Sequence, residues 1–233
     1  MIATYIIENN YTDNKYMRYQ SRILNFYMGN VKNNKIGVLD IETTGLSPHN
    51  SHFILGGLLL YTNKGVTVKQ YFAESLAEEK QTLLAFLEDI KHLDVIITYN
   101  GKHFDLKYLR TRMSQLGILE DYQFPFNLDL YLVLNGHSSL RKLLPNLKQK
   151  TVENFMGLWA SRTDEISGAD SVDMYYQFLQ TKSSELRHLI LLHNRDDVLQ
   201  LTITSCSEEI RYSQSFLLLG LSCRKLIHIK NLL

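Results

Sequence analysis

The sequence predicts an α/β fold: a mixed β-sheet of about five strands, the first three antiparallel, flanked by α-helices. Three observations carry this expectation. Short β-branched apolar runs crowd the first half of the chain, at Ile36 to Leu39, Phe53 to Tyr61 and Val66 to Phe72, and such runs bounded by turn residues read as strands. A helical period from Glu78 to Leu93 precedes another strand-like run, Asp94 to Tyr99, and this order suggests a crossover that returns a parallel strand to the same sheet. Beyond Leu140 the apolar spacing is mostly helical.

Taken in order, residues 1–35 are polar and tyrosine-rich, and Tyr16, Tyr19, Ile23, Leu24, Phe26 and Tyr27 suggest a weakly amphipathic helix. This segment reads as an arm packed on the domain that follows. Ile36-Gly37-Val38-Leu39 then has the character of a buried strand, and Thr62-Asn63-Lys64-Gly65 is a short loop with hairpin chemistry between the next two strands. In the first helix Leu83, Leu84, Phe86, Leu87 and Ile90 share one face. Asn100-Gly101-Lys102 is a turn signal, after which Phe104, Tyr108, Leu109, Met113 and Leu116 mark a second helix. Phe124 to Leu134, with Pro125 and Asp129, fits a strand passing into a helix. Helical segments follow at Leu140 to Leu147, interrupted by Pro145, and at Thr151 to Trp159, Val172 to Gln180 and Ser184 to Ile210. The polar Ser161 to Ser171 segment is the clearest internal loop. The expected organisation is an arm over 1–35, one domain over 36–210, and a basic and apolar tail over 211–233 that fits a helix, a strand or a partner-binding segment equally well.

Bulk properties narrow the classes. A chain of 233 residues can bury a substantial core, and its net charge of +1 gives no global signature of a nucleic-acid or membrane binder. Cys206 and Cys223 form no CxxC pair or Cys/His cluster, which argues against a disulfide framework or a structural zinc site. No apolar run approaches the ~20 residues that span a bilayer, and the first ten residues lack a signal-peptide pattern. A cytoplasmic protein without membrane association is the expectation.

Chemistry concentrates in three places. Asp40 and Glu42 lie two apart at the end of the first buried strand, so both point to one face, where their repulsion is relieved by protonation or by a cation. Oxygen ligands of this kind suit a hard divalent ion such as magnesium, although carboxylates near strand ends are also commonly solvated. Asp105 falls in the first turn of the helix after Asn100-Gly101-Lys102. The helix dipole alone would favour an acid there, yet the position also lies just beyond a strand's C-terminal end. On the last long helix His193 and Asp197 are four apart and share a face, with Asp196 rotated about 100° away. A lone helical histidine is commonly a packed or solvated residue, so only the company it keeps would give it a catalytic meaning.

The pieces resemble the DEDD exonuclease superfamily of the ribonuclease-H-like fold: LDIETTGL is similar to its first motif, YNGKHFDLKYL to its second and HNRDDVLQL to its third. The pattern looks closest to the YprB-like group of predicted exonucleases. Resemblance runs from about Ile36 to Ile210, and three motifs in order are far more specific than one. It implies that Asp40, Glu42, Asp105 and Asp197 ligate two ions, Mg2+ or Mn2+, with Asp40 bridging both, Glu42 and Asp197 on the nucleophile side and Asp105 on the other. His193 stands in the position of the general base. One departure is visible: the proofreading-type branch has its histidine five residues before the last aspartate and a sister branch has a tyrosine four before, whereas here a histidine lies four before Asp197. Asn100 and Phe104 match residues flanking the second acidic position and would shape the site, and Thr43 to Leu46 would form a floor for the nucleotide end.

The implied activity is metal-dependent 3′–5′ exonuclease action on a DNA or RNA end. An endonuclease of the same fold, or a non-catalytic nucleic-acid-binding module, is the alternative. Between Asn100 and Lys150 the bases Lys102, Lys107, Arg110, Arg112, Arg141, Lys142, Lys148 and Lys150 outnumber the acids, which fits a phosphate-binding surface as well as ordinary solvated helix faces. Leu46 and Tyr99 are candidate apolar contacts for a terminal base.

Overall fold

Side-chain alternation along the strands sorts the core into two layers, one on each face of a single mixed sheet. The computed structural model describes residues 5–12, 35–62, 65–118, 121–138, 140–157 and 168–206. Its strands are β1 (Tyr5–Tyr11), β2 (Ile36–Thr43), β3 (Phe53–Thr62), β4 (Gly65–Phe72), β5 (Val95–Thr98) and β6 (Phe126–Asp129), in the spatial order β1-β4-β3-β2-β5-β6. The pairs β2–β3 and β3–β4 are antiparallel, as the hairpin signals require, while β5 lies parallel to β2 and β6 parallel to β5. Mixed α/β architecture with helices on both faces is therefore the fold that the sequence predicts.

The helices are α1 (Glu79–Ile90), α2 (Asp105–Gln115), α3 (Leu130–His137), α4 (Leu140–Leu143), α5 (Gln149–Phe155), α6 (Gly168–Thr181) and α7 (Ser184–Cys206). Leu39 and Ile41 of β2 pack with Phe86 and Ile90 of α1 and with Leu106, Leu109 and Met113 of α2. Val38, one residue out of phase, packs on the opposite face with Val198 and Leu201 of α7 and with Leu130 and Val133 of α3. Ile54 and Leu55 of β3 and Phe72 of β4 enter a further cluster with Tyr175 and Phe178 of α6 and Ile190 and Leu191 of α7. In this way β2 ends with its odd-numbered side chains in the core and its even-numbered ones facing α7.

Two differences from the expectation have local causes. The sheet gains a sixth strand, because Tyr5–Tyr11 of the arm pairs antiparallel with β4 at the edge. Ile6 is exposed and Ile7 only half-buried, so this edge strand carries little of the apolar alternation that marks an inner one. Helix α6 begins at Gly168 rather than after Ser171, with Asp170 in its first turn, where an acid complements the helix dipole. The helix expected over Tyr16 to Tyr27, residues 158–167 and the tail 211–233 lie outside the described residues. Among the described residues no helix is long and apolar enough to cross a membrane.

Candidate active site

The parity of β2 carries Asp40 and Glu42 onto the face that α7 covers, and a register shift between Glu42 and Thr43 ends the strand there. Opposite them α7 presents His193 and Asp197, one turn apart on one side of the helix. The His193 Nε2 lies 3.7 Å from Glu42 Oε1 and 3.5 Å from Asp197 Oδ2. Ligand atoms of Glu42, His193 and Asp197 all fall within 4.8 Å of one another. Glu42 and His193 are buried and Asp197 half-buried. Asp196 points elsewhere: it is buried and pairs with the Arg195 guanidinium at 3.0 Å.

Asp105 arrives from the far side of the sheet. The loop that delivers it is tight: Asn100 has φ 62°, a left-handed conformation that asparagine tolerates better than most residues. The Asn100 carbonyl accepts from the His103 and Phe104 N–H groups at 3.1 and 3.0 Å. Asp129, at the end of β6, holds this loop from below by accepting from the Asn100 N–H (2.9 Å) and the Lys102 N–H (3.0 Å). Asp105 itself is buried at the start of α2, and Phe104 packs on Tyr108 beside it with ring centroids 5.7 Å apart.

Electrostatics bind these groups into one site. The Asp40 carboxyl is pushed well above the usual carboxylate range by burial and then by the charges of Asp197, Glu42 and Asp105, with His193 acting in the opposite sense. Burial also pushes Asp105 up to about 7, helped by the charges of Asp129 and Asp197 and opposed by main-chain hydrogen bonds at Ile41 and at its own N–H. Glu42, His193 and Asp197 thus offer ligand atoms at one place, with Asp40 and Asp105 in the field of the same carboxylates, and carboxylate oxygens of this kind suit hard divalent cations.

The rim is the loop after β2. Its Thr43 hydroxyl donates to the Gly45 carbonyl at 2.9 Å, and the Ser51 hydroxyl lies 2.9 and 2.6 Å from the Gly45 and Ser47 carbonyls while the Tyr108 hydroxyl contacts it at 2.6 Å. This internal bonding leaves Leu46 at the tip, 83% exposed. Behind the loop Glu79 accepts from the Phe53 N–H (2.8 Å) and from both edges of the Arg112 guanidinium (2.7 and 2.5 Å). Arg112 also donates to the Pro48 carbonyl at 3.0 Å. It is buried, so it leaves the set of bases expected to face phosphates. Lys102, Lys107, Arg110, Arg141, Lys142 and Lys148 are exposed.

Sequence reasoning missed two residues that touch this geometry. Asn194 donates from Nδ2 to Asp40 Oδ2 at 2.9 Å. Its signal was an asparagine between Ile190 and Val198 at a spacing of four, a polar residue on the core face of α7. Asp129 carried a weaker sign, an acid at a strand-to-helix junction whose side chain caps α3 through Leu132 N–H at 3.4 Å.

Comparison with known proteins agrees with this architecture. The chain is 31% identical over 175 residues to the YprB protein of Bacillus subtilis (strain 168), covering 72% of this chain and 40% of that one. It is 35% identical over 95 residues to a DNA polymerase of Thermococcus hydrothermalis, covering 36% of this chain and 6% of that one. The chain thus spans less than half the length of these curated relatives. The family B DNA polymerase of Pyrobaculum calidifontis shares the fold with a TM-score of 0.59 at 18% identity, over 78% of this chain and 26% of that one. The RNase_H superfamily pattern matches residues 38–203, a span from the middle of β2 to the last turns of α7 that includes every acidic residue of the site, and the chain belongs to that superfamily.

Proposed function

We propose that the protein is a nuclease of the 3′–5′ exonuclease type, hydrolysing phosphodiester bonds at a DNA or RNA end with two divalent metal ions, Mg2+ or Mn2+. The observation that carries this reading is the meeting of Glu42, Asp197 and His193, whose ligand atoms lie within 4.8 Å of one another, beside an Asp40 that feels the charges of Asp197, Glu42 and Asp105. When bound, the two ions would lower the pKa of an attacking water and stabilise the leaving oxygen. Asp40, Glu42, Asp105 and Asp197 would hold them, with Glu42 and Asp197 beside His193. His193 would take the proton from the attacking water, its Nε2 lying 3.7 Å from Glu42 Oε1 and 3.5 Å from Asp197 Oδ2. Leu46 and Thr43 form the rim against which the terminal nucleotide rests, with Asn100 and Phe104 shaping the opposite wall. A cytoplasmic setting fits this activity.

Similarity to DNA polymerases supports a nucleic-acid substrate. The test is a Mg2+- or Mn2+-supported assay on end-labelled single strands and duplexes of both DNA and RNA. Stepwise shortening from the 3′ end is the expected result. Internal cuts would assign the protein as an endonuclease, and retained binding without cleavage would assign it as a binding module.

A further inference from the structure

Three residues from three neighbouring strands lie in one row: Asp40 of β2 pairs with Gly57 of β3, and Gly57 pairs with Gln70 of β4. The middle position has no side chain, and a glycine inside a strand commonly marks the close approach of something else. Here it is Asn194 of α7. A Cβ on Gly57 would stand 2.2 Å from Asn194 Oδ1, so the asparagine fills the slot that the glycine leaves open. Asn194 is completely buried and Gln70 is 2% exposed.

The hydrogen bonds across this slot run in one direction only. The Leu191 carbonyl is purely an acceptor, so the Gln70 side chain must turn its amide nitrogen toward it, at 2.7 Å. That same nitrogen donates to Asn194 Oδ1 at 3.1 Å. With its oxygen so engaged, Asn194 must present Nδ2 to Asp40, donating to Oδ2 at 2.9 Å and approaching the Asp40 main-chain oxygen at 3.4 Å. An accepting carboxylate is what this arrangement suits, and it holds Oδ2 of Asp40 in place.

We infer that Asn194, locked by Gln70 in the slot over Gly57, is a positioning residue that fixes the carboxylate plane of Asp40 for cation binding. The inference rests on the proposed metal-binding role of Asp40. A carboxylate that ligates a cation must present its oxygens at a set angle, and loss of such an outer hydrogen bond commonly costs 10–100-fold in metal affinity. Gln70 acts through Asn194, so its loss moves the same quantity by less.

The test is Mn2+ binding to the full-length protein, followed by electron paramagnetic resonance of free Mn2+ and by calorimetry, for wild type, Asp40→Asn, Asn194→Ala and Gln70→Leu, with folding checked by circular dichroism and thermal melting. Asn194→Ala should weaken Mn2+ binding about 10–100-fold, and Gln70→Leu should weaken it less, with the double variant no weaker than Asn194→Ala alone. Under turnover the loss should appear in kcat with KM for the nucleic acid unchanged. Should Asn194→Ala fail to fold, Gln70→Leu decides: unchanged Mn2+ affinity there overturns the inference. Wild-type affinity in Asn194→Ala overturns it directly while leaving the metal reading intact. If wild type and Asp40→Asn bind Mn2+ equally weakly, the metal reading fails and this inference with it.

Discussion

Two groups of buried acids in this molecule have opposite surroundings. Glu79 sits behind the loop that follows β2, with the Arg112 guanidinium on both its oxygens, the Phe53 N–H on one and His52 Nδ1 2.8 Å from the other. Burial alone would raise its pKa, but the hydrogen bonds from Arg112, His52 and Phe53 hold it below the usual carboxylate value. At the other group Asp40 is pushed up by burial and by the charges of Asp197, Glu42 and Asp105, and Asp105 by burial and by the charges of Asp129 and Asp197. A buried acid with its countercharge in place serves the fold, whereas acids pushed up by neighbouring carboxylates are held at a cost that a bound cation would relieve. The contrast separates a structural acid from candidate ligands although Glu79, Glu42 and Asp105 are all buried.

The largest expected effect is at the crowded group. Asp40→Asn keeps the shape and still accepts the Asn194 hydrogen bond, so it should abolish Mg2+- or Mn2+-supported cleavage while the thermal melt stays cooperative. Full activity in that variant would remove the mechanism. His193→Ala should lower kcat by about 10²–10⁴-fold, the range expected of a general base, in single-turnover assays at saturating metal. At the compensated group the prediction is reversed. Arg112→Met should leave cleavage chemistry in place but destabilise the protein by about 3–5 kcal/mol in urea unfolding, because Glu79 would be buried without its partner. An unchanged midpoint there would erase the distinction between the two groups.

The smallest effects are those of pH, and they carry opposite signs. Asp105, with a folded value of about 7 against an ordinary 3.8, keeps a proton that the unfolded chain has already released between these limits. Its contribution to the stability of the metal-free protein therefore falls as pH rises through that window, and Asp105→Asn should flatten this part of the melting-temperature profile. The same proton competes with cations, so apparent Mn2+ affinity should rise between about pH 6 and pH 8. Glu79, lowered from an ordinary 4.5, contributes stability that is present above that value and lost as pH falls below it. Arg112→Met should shrink that acid-side loss.

Legibility followed the range of the interaction. Asp40 and Glu42 could be placed on one face because strand parity is local, and His193 with Asp197 because helical spacing is local. Strand Tyr5–Tyr11 escaped because its pairing partner β4 lies about sixty residues on and its own side chains carry little apolar alternation. Arg112 read as a surface base for a similar reason. Its partner Glu79 lies on another helix, and nothing in the RTRM stretch announces the pairing.

By itself the sequence determined the mixed sheet with its first three inner strands antiparallel, the helical second half, and the local spacing of the three acidic motifs, two at element ends and one within the last long helix, since each depends on periodicity or turn chemistry within a few residues. Only the tertiary structure decided which acids are neutralised and which are crowded. It alone put Asn194 opposite Gly57 and Gln70, because that meeting requires α7 to cross a row of three strands drawn from positions 40, 57 and 70. Register between distant strands is set by the packing of the whole core, and no local stretch of the chain encodes it.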